Sequence, residues 1–159
     1  MKTVGIVLLF GLCAVIGMRL GAKKTERLFT VRALRKDLQL FSERIAAGRG
    51  TLTEIASENG ALFELIGSYL AALSGGETES AAAERASDGF KKGSAEGAGL
   101  CMFFTGLSSA NRSDLIRRTD ALSVALERAE NEAETEAKQA RVLRVSGVLV
   151  GAGIAILLL

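Results

Sequence analysis

Two apolar runs, one at each end of a chain that contains no proline, set the limits on what this sequence can fold into. From Thr3 to Met18 the chain reads TVGIVLLFGLCAVIGM without a charge; Arg19 interrupts, and Leu20, Gly21 and Ala22 carry the run on to Lys23 and Lys24. The twenty residues from Thr3 to Ala22 make about 30 Å of helix, which matches the hydrocarbon core of a bilayer. The second run, Val142 to Leu159, reads VLRVSGVLVGAGIAILLL, and its eighteen residues reach about 27 Å. A helix that is apolar all round needs cover on every side, which a chain of this size does not supply, so both runs are expected to span a membrane. Arg19 and Arg144 lie near the edges of the runs, where their stems let the charge reach the headgroups. The rival reading of the first run is a secretory signal peptide. No A-x-A site follows it, and Leu12 is bulky where a lipoprotein site before Cys13 needs a small residue.

Composition narrows the function classes. With no histidine the commonest general base and metal ligand are missing, and Cys13 and Cys101 are too few for a four-ligand zinc or iron–sulfur site. Twenty basic against eighteen acidic residues give a net charge of +2, which does not suggest nucleic-acid binding. No phosphate-binding loop occurs, since Gly89-Phe90-Lys91-Lys92-Gly93-Ser94 lacks the G-x-x-x-x-G-K-[ST] order. Without a histidine to activate it, Cys101 reads as a small core residue, and the glutamates from Glu127 to Glu136 read as a solvated helix face. No catalytic residue, metal or cofactor is expected.

The basic residues near the runs set the orientation. Lys23, Lys24, Arg27, Arg32, Arg35 and Lys36 follow the first run, and Lys138, Arg141 and Arg144 lead into or enter the second. By the positive-inside rule the middle of the chain faces the cytoplasm. The expected organisation is a transmembrane helix at residues 1–22, a cytoplasmic helical bundle at 23–141 and a second transmembrane helix at 142–159.

Helical periodicity organises the middle. Leu28, Val31, Leu34, Leu38, Phe41 and Ile45 recur at spacings of three and four, one face of an amphipathic helix closed by Gly48 and Gly50. Thr51-x-x-Glu54 is a capping box that opens a short helix to about Glu58. Leu62, Phe63, Leu65, Ile66, Tyr69, Leu70 and Leu73 mark a third helix stopped by Gly75 and Gly76, and an Ala-rich helix is expected from about Thr78 to Phe90. Residues 91–99 (KKGSAEGAG) read as a flexible connection, and Leu100 to Leu107 as a short apolar helix. A last helix, capped by the SSANRSD run, carries Leu115, Thr119, Leu122, Leu126, Ala129, Ala133, Ala137 and Ala140 and runs into the second apolar run. The first of these helices is basic and the last acidic near the runs, so the two are expected to lie antiparallel. The fold class is all-α: a bundle of about six helices flanked by two transmembrane helices.

Two sets of residues stand out as interaction candidates. Arg27, Arg32, Arg35, Lys36 and Arg44 form a basic face that would dock an acidic partner or anionic lipid headgroups, against the plainer reading of a charged surface. Gly17 with Gly21, and Gly147 with Gly151, are spaced for close helix packing in lipid, within the chain or with a partner.

The layout, the stretch RALRKDLQLFSERIAAGRGTLTEIA, the LSSANRSD cap and the terminal SGVLVGAGIAILLL together resemble the stage III sporulation protein AB family across nearly the whole chain. That resemblance implies a cytoplasmic helical domain similar to the F protein of type II secretion systems. It also implies a part in the channel joining mother cell and forespore during endospore formation, in the mother-cell membrane. The partners it implies are a cytoplasmic secretion-type ATPase of the stage III sporulation operon and other membrane components of the channel. Two sites depart from the family pattern, Thr51-Leu52 where Thr-Pro-Leu is usual and Ser108-Ser109-Ala110-Asn111-Arg112 where Gly-x-Ser-Asp-Arg is usual, and a tryptophan common in the middle is absent. The function expected is a non-enzymatic membrane platform that positions the ATPase. A small homo-oligomeric membrane pore or a generic membrane-anchored helical adaptor stays open as the alternative.

Overall fold

The structure, a computed structural model, describes the backbone of residues 2–48, 51–91 and 93–157 and the side chains of residues 22–48, 51–55, 57–91, 93–142, 145 and 146. Every element among them is a helix: α1 (Lys2–Ala47), α2 (Leu52–Ala56), α3 (Ala61–Ser74), α4 (Glu79–Ser87), α5 (Ala95–Phe104) and α6 (Arg112–Leu157). Among the described residues no helix is long and apolar enough to cross a membrane. Nearly all of the side chains in the apolar runs at 3–22 and 142–159 lie outside those residues. The chain divides into two compact units, Thr30–Glu130 on the one hand and Met1–Phe29 with Asn131–Leu159 on the other.

The Thr30–Glu130 unit is built around the apolar stripe of α1. Val31, Leu34, Leu38, Phe41 and Ile45 are all buried, and their cluster takes in Leu62, Phe63 and Ile66 of α3, Leu100 and Phe104 of α5, and Leu122 and Leu126 of α6. Aromatic rings lock its centre. Phe41 meets Phe103 edge-on at 5.7 Å, Phe103 meets Phe104 edge-on at 5.3 Å, and Tyr69 stacks on Phe104 at 5.3 Å. The Tyr69 hydroxyl has no well-aligned partner among the described residues, and the neighbouring Ser108 hydroxyl donates to Glu79. Burial raises the phenol above its ordinary pKa of 10.0, and Ser108 offsets part of that rise. The thin apolar face of α4 suffices: Ala82, Ala83 and Ala86 are buried, which lets α4 pack closely on its neighbours α3 and α5. In the other unit, Leu28 of α1 and Ala133 of α6 are buried.

The local signals account for most helix ends. At α2 both halves of the capping box form: Glu54 N–H donates to Thr51 Oγ1 at 3.3 Å, and Thr51 N–H donates to Glu54 Oε2 at 2.8 Å. The helix stops at Ala56, two residues short of the expected Glu58, because the Ser57 hydroxyl takes the Glu54 carbonyl at 2.6 Å. Similarly, α4 ends at Ser87 rather than Phe90, with the Ser87 hydroxyl on the Ala83 carbonyl at 2.9 Å. The last helix opens where expected, with Asp114 N–H on Asn111 Oδ1 at 2.9 Å.

The connection expected at 91–99 is a correction. Its second half is helix: Ser94 caps α5 by accepting from Gly97 N–H at 3.2 Å, and Ala95 to Gly99 form the first turns. Gly93 still serves a turn, at a φ of +83°, whereas Gly99 marks close packing. A methyl group on Gly99 would lie 2.6 Å from Ala125 Cβ of α6, so the two helices approach there only because Gly99 has no side chain.

One cap is supplied from far along the chain. Gly60 precedes α3 and has no side chain to cap it. Asp37, on the stripe side of α1 and only 8% exposed, accepts from Leu62 N–H at 3.1 Å instead. A Cβ on Gly60 would lie 2.6 Å from Asp37 Oδ2, so the bare glycine leaves the space that the carboxylate fills.

Two stability predictions follow from these contacts, both read by chemical denaturation of the full chain in detergent micelles. Asp37→Ala leaves a buried N–H unpaired and is expected to cost about 2 kcal/mol, with Asp37→Asn costing less; an unchanged midpoint for Asp37→Ala would remove the cap. Gly99→Ala should destabilise by about 1–3 kcal/mol although alanine is the better helix former, and should cost less in an Ala125→Gly background.

Candidate docking surfaces

The basic face of α1 meets carboxylates of its own chain. Within the Thr30–Glu130 unit, Glu130 of α6 takes Arg32 Nε on one oxygen at 2.8 Å and Arg35 Nη1 on the other at 2.8 Å. Arg44 pairs with Glu58, just beyond α2. In the other unit, Arg27 reaches Glu136 at 3.1 Å and Glu132 at 3.5 Å. Lys36 is exposed on the same helix. The structure therefore brings four of the five basic residues named from the sequence onto acidic partners within the chain. The pairs join basic α1 to acidic α6, as the charge distribution predicts for neighbouring antiparallel helices. On α6 itself Lys138 and Glu134 form an i,i+4 contact at 3.7 Å.

The two short bonds from Arg32 and then Arg35 hold the Glu130 carboxyl below its ordinary pKa of 4.5. In return, the hydrogen bond to Glu130 raises the Arg35 guanidinium above its ordinary value. The Glu130 side chain is 18% exposed but both arginines are nearly half exposed, so solvent screens the pairs and limits what they contribute.

Of the membrane-flanking candidates, Lys23 is exposed and Lys24 half-buried on α1. Arg19, Arg144, Gly17, Gly21, Gly147 and Gly151 lie outside the residues whose side chains are described.

Two concave surfaces lie in the Thr30–Glu130 unit. One, of about 640 Å³, runs along α4 and the start of α5, with Glu84, Arg85, Asp88, Lys91 and half-buried Cys101 in its wall. The other, of about 600 Å³, lies between α5 and α6, with Met102, Gly99, Ala121, Ala125 and Arg128 in its lining. Met102 is 71% exposed there. Among the described residues no group of three or more histidine, cysteine, aspartate or glutamate side chains is placed to hold a metal ion.

Residues 2–159 match the stage III sporulation protein AB family. The chain belongs to that family. No curated protein and no solved structure matches it. The two departures from the family pattern keep the local geometry of their helix starts. Leu52 is the first residue of α2, where a proline's missing N–H would have had no intrahelical partner in any case, and Asn111 caps α6 as an aspartate would.

Sequence reasoning missed Asp37 and the α5–α6 groove. Asp37 left a signal, since it lies three residues after Leu34 and four before Phe41 and so interrupts the apolar stripe. The groove left none. Met102 falls in a run of apolar residues, and its exposure depends on how α5 is turned.

The lowered value for Glu130 gives a prediction with a definite sign. A carboxylate whose folded pKa is depressed adds stability that is present above its unfolded pKa and lost as pH falls through the folded one. Glu130→Gln should therefore cost about 0.5–1 kcal/mol near neutral pH, and the gap to wild type should close as pH falls below 4.5. Urea denaturation of both proteins across that range checks it; a gap independent of pH would mean that the carboxylate is not paired in solution.

Proposed function

We propose that this sporulation-family protein is a membrane platform without chemistry of its own. Two spans at 1–22 and 142–159 hold the helical bundle at the cytoplasmic face of the mother-cell membrane. The bundle positions a secretion-type ATPase for a channel between mother cell and forespore, alongside the channel's other membrane components.

The observation that carries this reading is the layout of apolarity and charge. The chain's two uncharged stretches lie at its ends, and the residues next to them on α1 and α6 are charged and joined by ion pairs. Exposed Phe29, Val142 and Val145, at 56–66% exposure in the unit that holds both ends, support contact with lipid there. The basic residues inward of both runs support the cytoplasmic side for the bundle. The type II secretion-like character of the bundle rests on the family resemblance, and the helical content agrees with it.

Brief crosslinking in sporulating cells, followed by purification of the tagged protein in detergent and identification of partners by mass, tests the platform. Recovery of the cytoplasmic ATPase is the expected result. Recovery of a homo-oligomer with no ATPase would overturn it in favour of a pore, and an N-terminus shortened by about 20 residues would remove the first span.

A further inference from the structure

The groove between α5 and α6 combines three features that the arginines of α1 lack. Its floor is made of small residues, with Gly99 on α5 set close against Ala125 on α6. Met102, 71% exposed, stands beside it as a long, adaptable apolar side chain in water. Along α6, Arg117, Ala121, Val124 and Arg128 follow one another at i, i+4, i+7 and i+11, which places them on one face of the helix. Val124 is 51% exposed, and the two arginines that bracket this face are about 16 Å apart along the axis. Arg117 has only a long contact with Asp114 at 3.5 Å, and Arg128 has no ion-pair partner among the described residues. Arg27, Arg32, Arg35 and Arg44 of α1 are committed to Glu130, Glu132, Glu136 and Glu58, whereas these two cations face water at either end of an apolar strip.

We propose that this groove docks an amphipathic helix of a partner protein, one that presents apolar side chains between two acidic residues about three turns apart. A helix laid along α6 repeats the same spacing, so its apolar residues fall on Ala121, Ala125 and Met102, with Val124 at the outer edge of the same α6 face, while its carboxylates meet Arg117 and Arg128. Guanidinium groups favour carboxylates because they bind them through two parallel hydrogen bonds. A lipid headgroup would call for a cluster of cations on a flat face; here Arg117 and Arg128 flank a concave apolar surface, and the third arginine in its lining, Arg118, is turned onto the Met102 and Thr105 carbonyls. The inference rests on the platform reading only in naming the chemistry of its partner, and its test is separate.

The probe is a fluorescent synthetic amphipathic peptide with glutamates at the two ends of an i, i+11 stripe and leucines at i+4 and i+7, titrated into the full chain in detergent micelles. A control peptide carries lysines in place of the glutamates. Saturable binding, at least ten-fold tighter than the control's, is expected. Met102→Asp, and Arg117→Glu combined with Arg128→Glu, should each weaken it at least ten-fold at an unchanged thermal midpoint, since all three sites are exposed. The lysine peptide should regain binding on the double charge reversal, which a merely damaged fold could not produce. Absence of saturable binding, indifference to Met102→Asp, or failure of the charge-swapped pair would each overturn the proposal. So would a dimer in light scattering that the double reversal dissolves, which would assign the groove to a second copy, or displacement of the peptide by anionic-lipid vesicles, which would assign it to headgroups. Peptide binding with no ATPase in the co-purification would keep the groove and sink the platform; the converse would keep the platform and sink the groove.

Discussion

The buried contact between Asp37 and the start of α3 ties together parts of the chain that local signals alone would leave independent. A helix can begin almost anywhere its N–H groups find acceptors, and Gly60 supplies none. The acceptor comes instead from α1, 25 residues earlier, so α3 can start only where it meets that face of α1. Once α3 is placed, Leu62, Phe63, Ile66 and Tyr69 go into the cluster with Phe41 and Phe104. The chain then folds back through short connections, α3 against α4 and α4 against α5. A carboxylate on an apolar stripe is unfavourable by itself. Here it costs little, because the orphaned N–H and the space left by Gly60 receive it.

Charge follows a similar logic. The sequence puts cations on α1 and a run of glutamates from Glu127 to Glu136 on α6, and in the fold Arg27, Arg32 and Arg35 meet Glu130, Glu132 and Glu136 of that run. Glu130 illustrates the economy of the arrangement: one carboxylate takes two guanidinium groups, one on each oxygen. Such pairs add little stability at a solvent-exposed surface, but they disfavour a parallel or shifted register, in which like charges would meet. They also change what the basic face of α1 can do. A partner that docked on Arg32 or Arg35 would first have to compete with Glu130, so an incoming acid gains only the difference between two similar bonds.

How much of this was legible beforehand depended on whether a residue's role is local or distant. The stripe from Leu28 to Ile45 is buried at all six predicted positions, because three-and-four spacing states directly which face of a helix turns inward. The capping box at Thr51 and Glu54 and the Asn111 cap are local too, and both form. In the segment 91–99 only residues 95–99 depart from the expected connection, because glycine and small residues carry two opposite meanings. In water they loosen a chain; against a neighbouring helix they allow an approach that any side chain would block, and Gly99 against Ala125 is the second case. Only the position of α6 decides between them, and no residue near Gly99 in sequence reports it.

The same distinction separates the arginines by use. On α1, Arg27, Arg32 and Arg35 face carboxylates 95 or more residues away, so their apparent availability in the sequence disappears on folding. On α6, Arg117 and Arg128 sit where the neighbouring helix is α5, whose groove-facing residues Ala95, Ala98, Gly99 and Met102 carry no charge. Arg128 has no ion-pair partner among the described residues and Arg117 only the long contact with Asp114, so both keep charge to offer a partner. Whether a cation in this protein is structural or interactive is thus set less by its own surroundings in sequence than by the composition of the helix that packs beside it. The neighbour of the acidic half of α6 is basic, and the neighbour of its basic half turns no charge toward the groove; that asymmetry leaves the outward-facing positive charge at the α5–α6 groove.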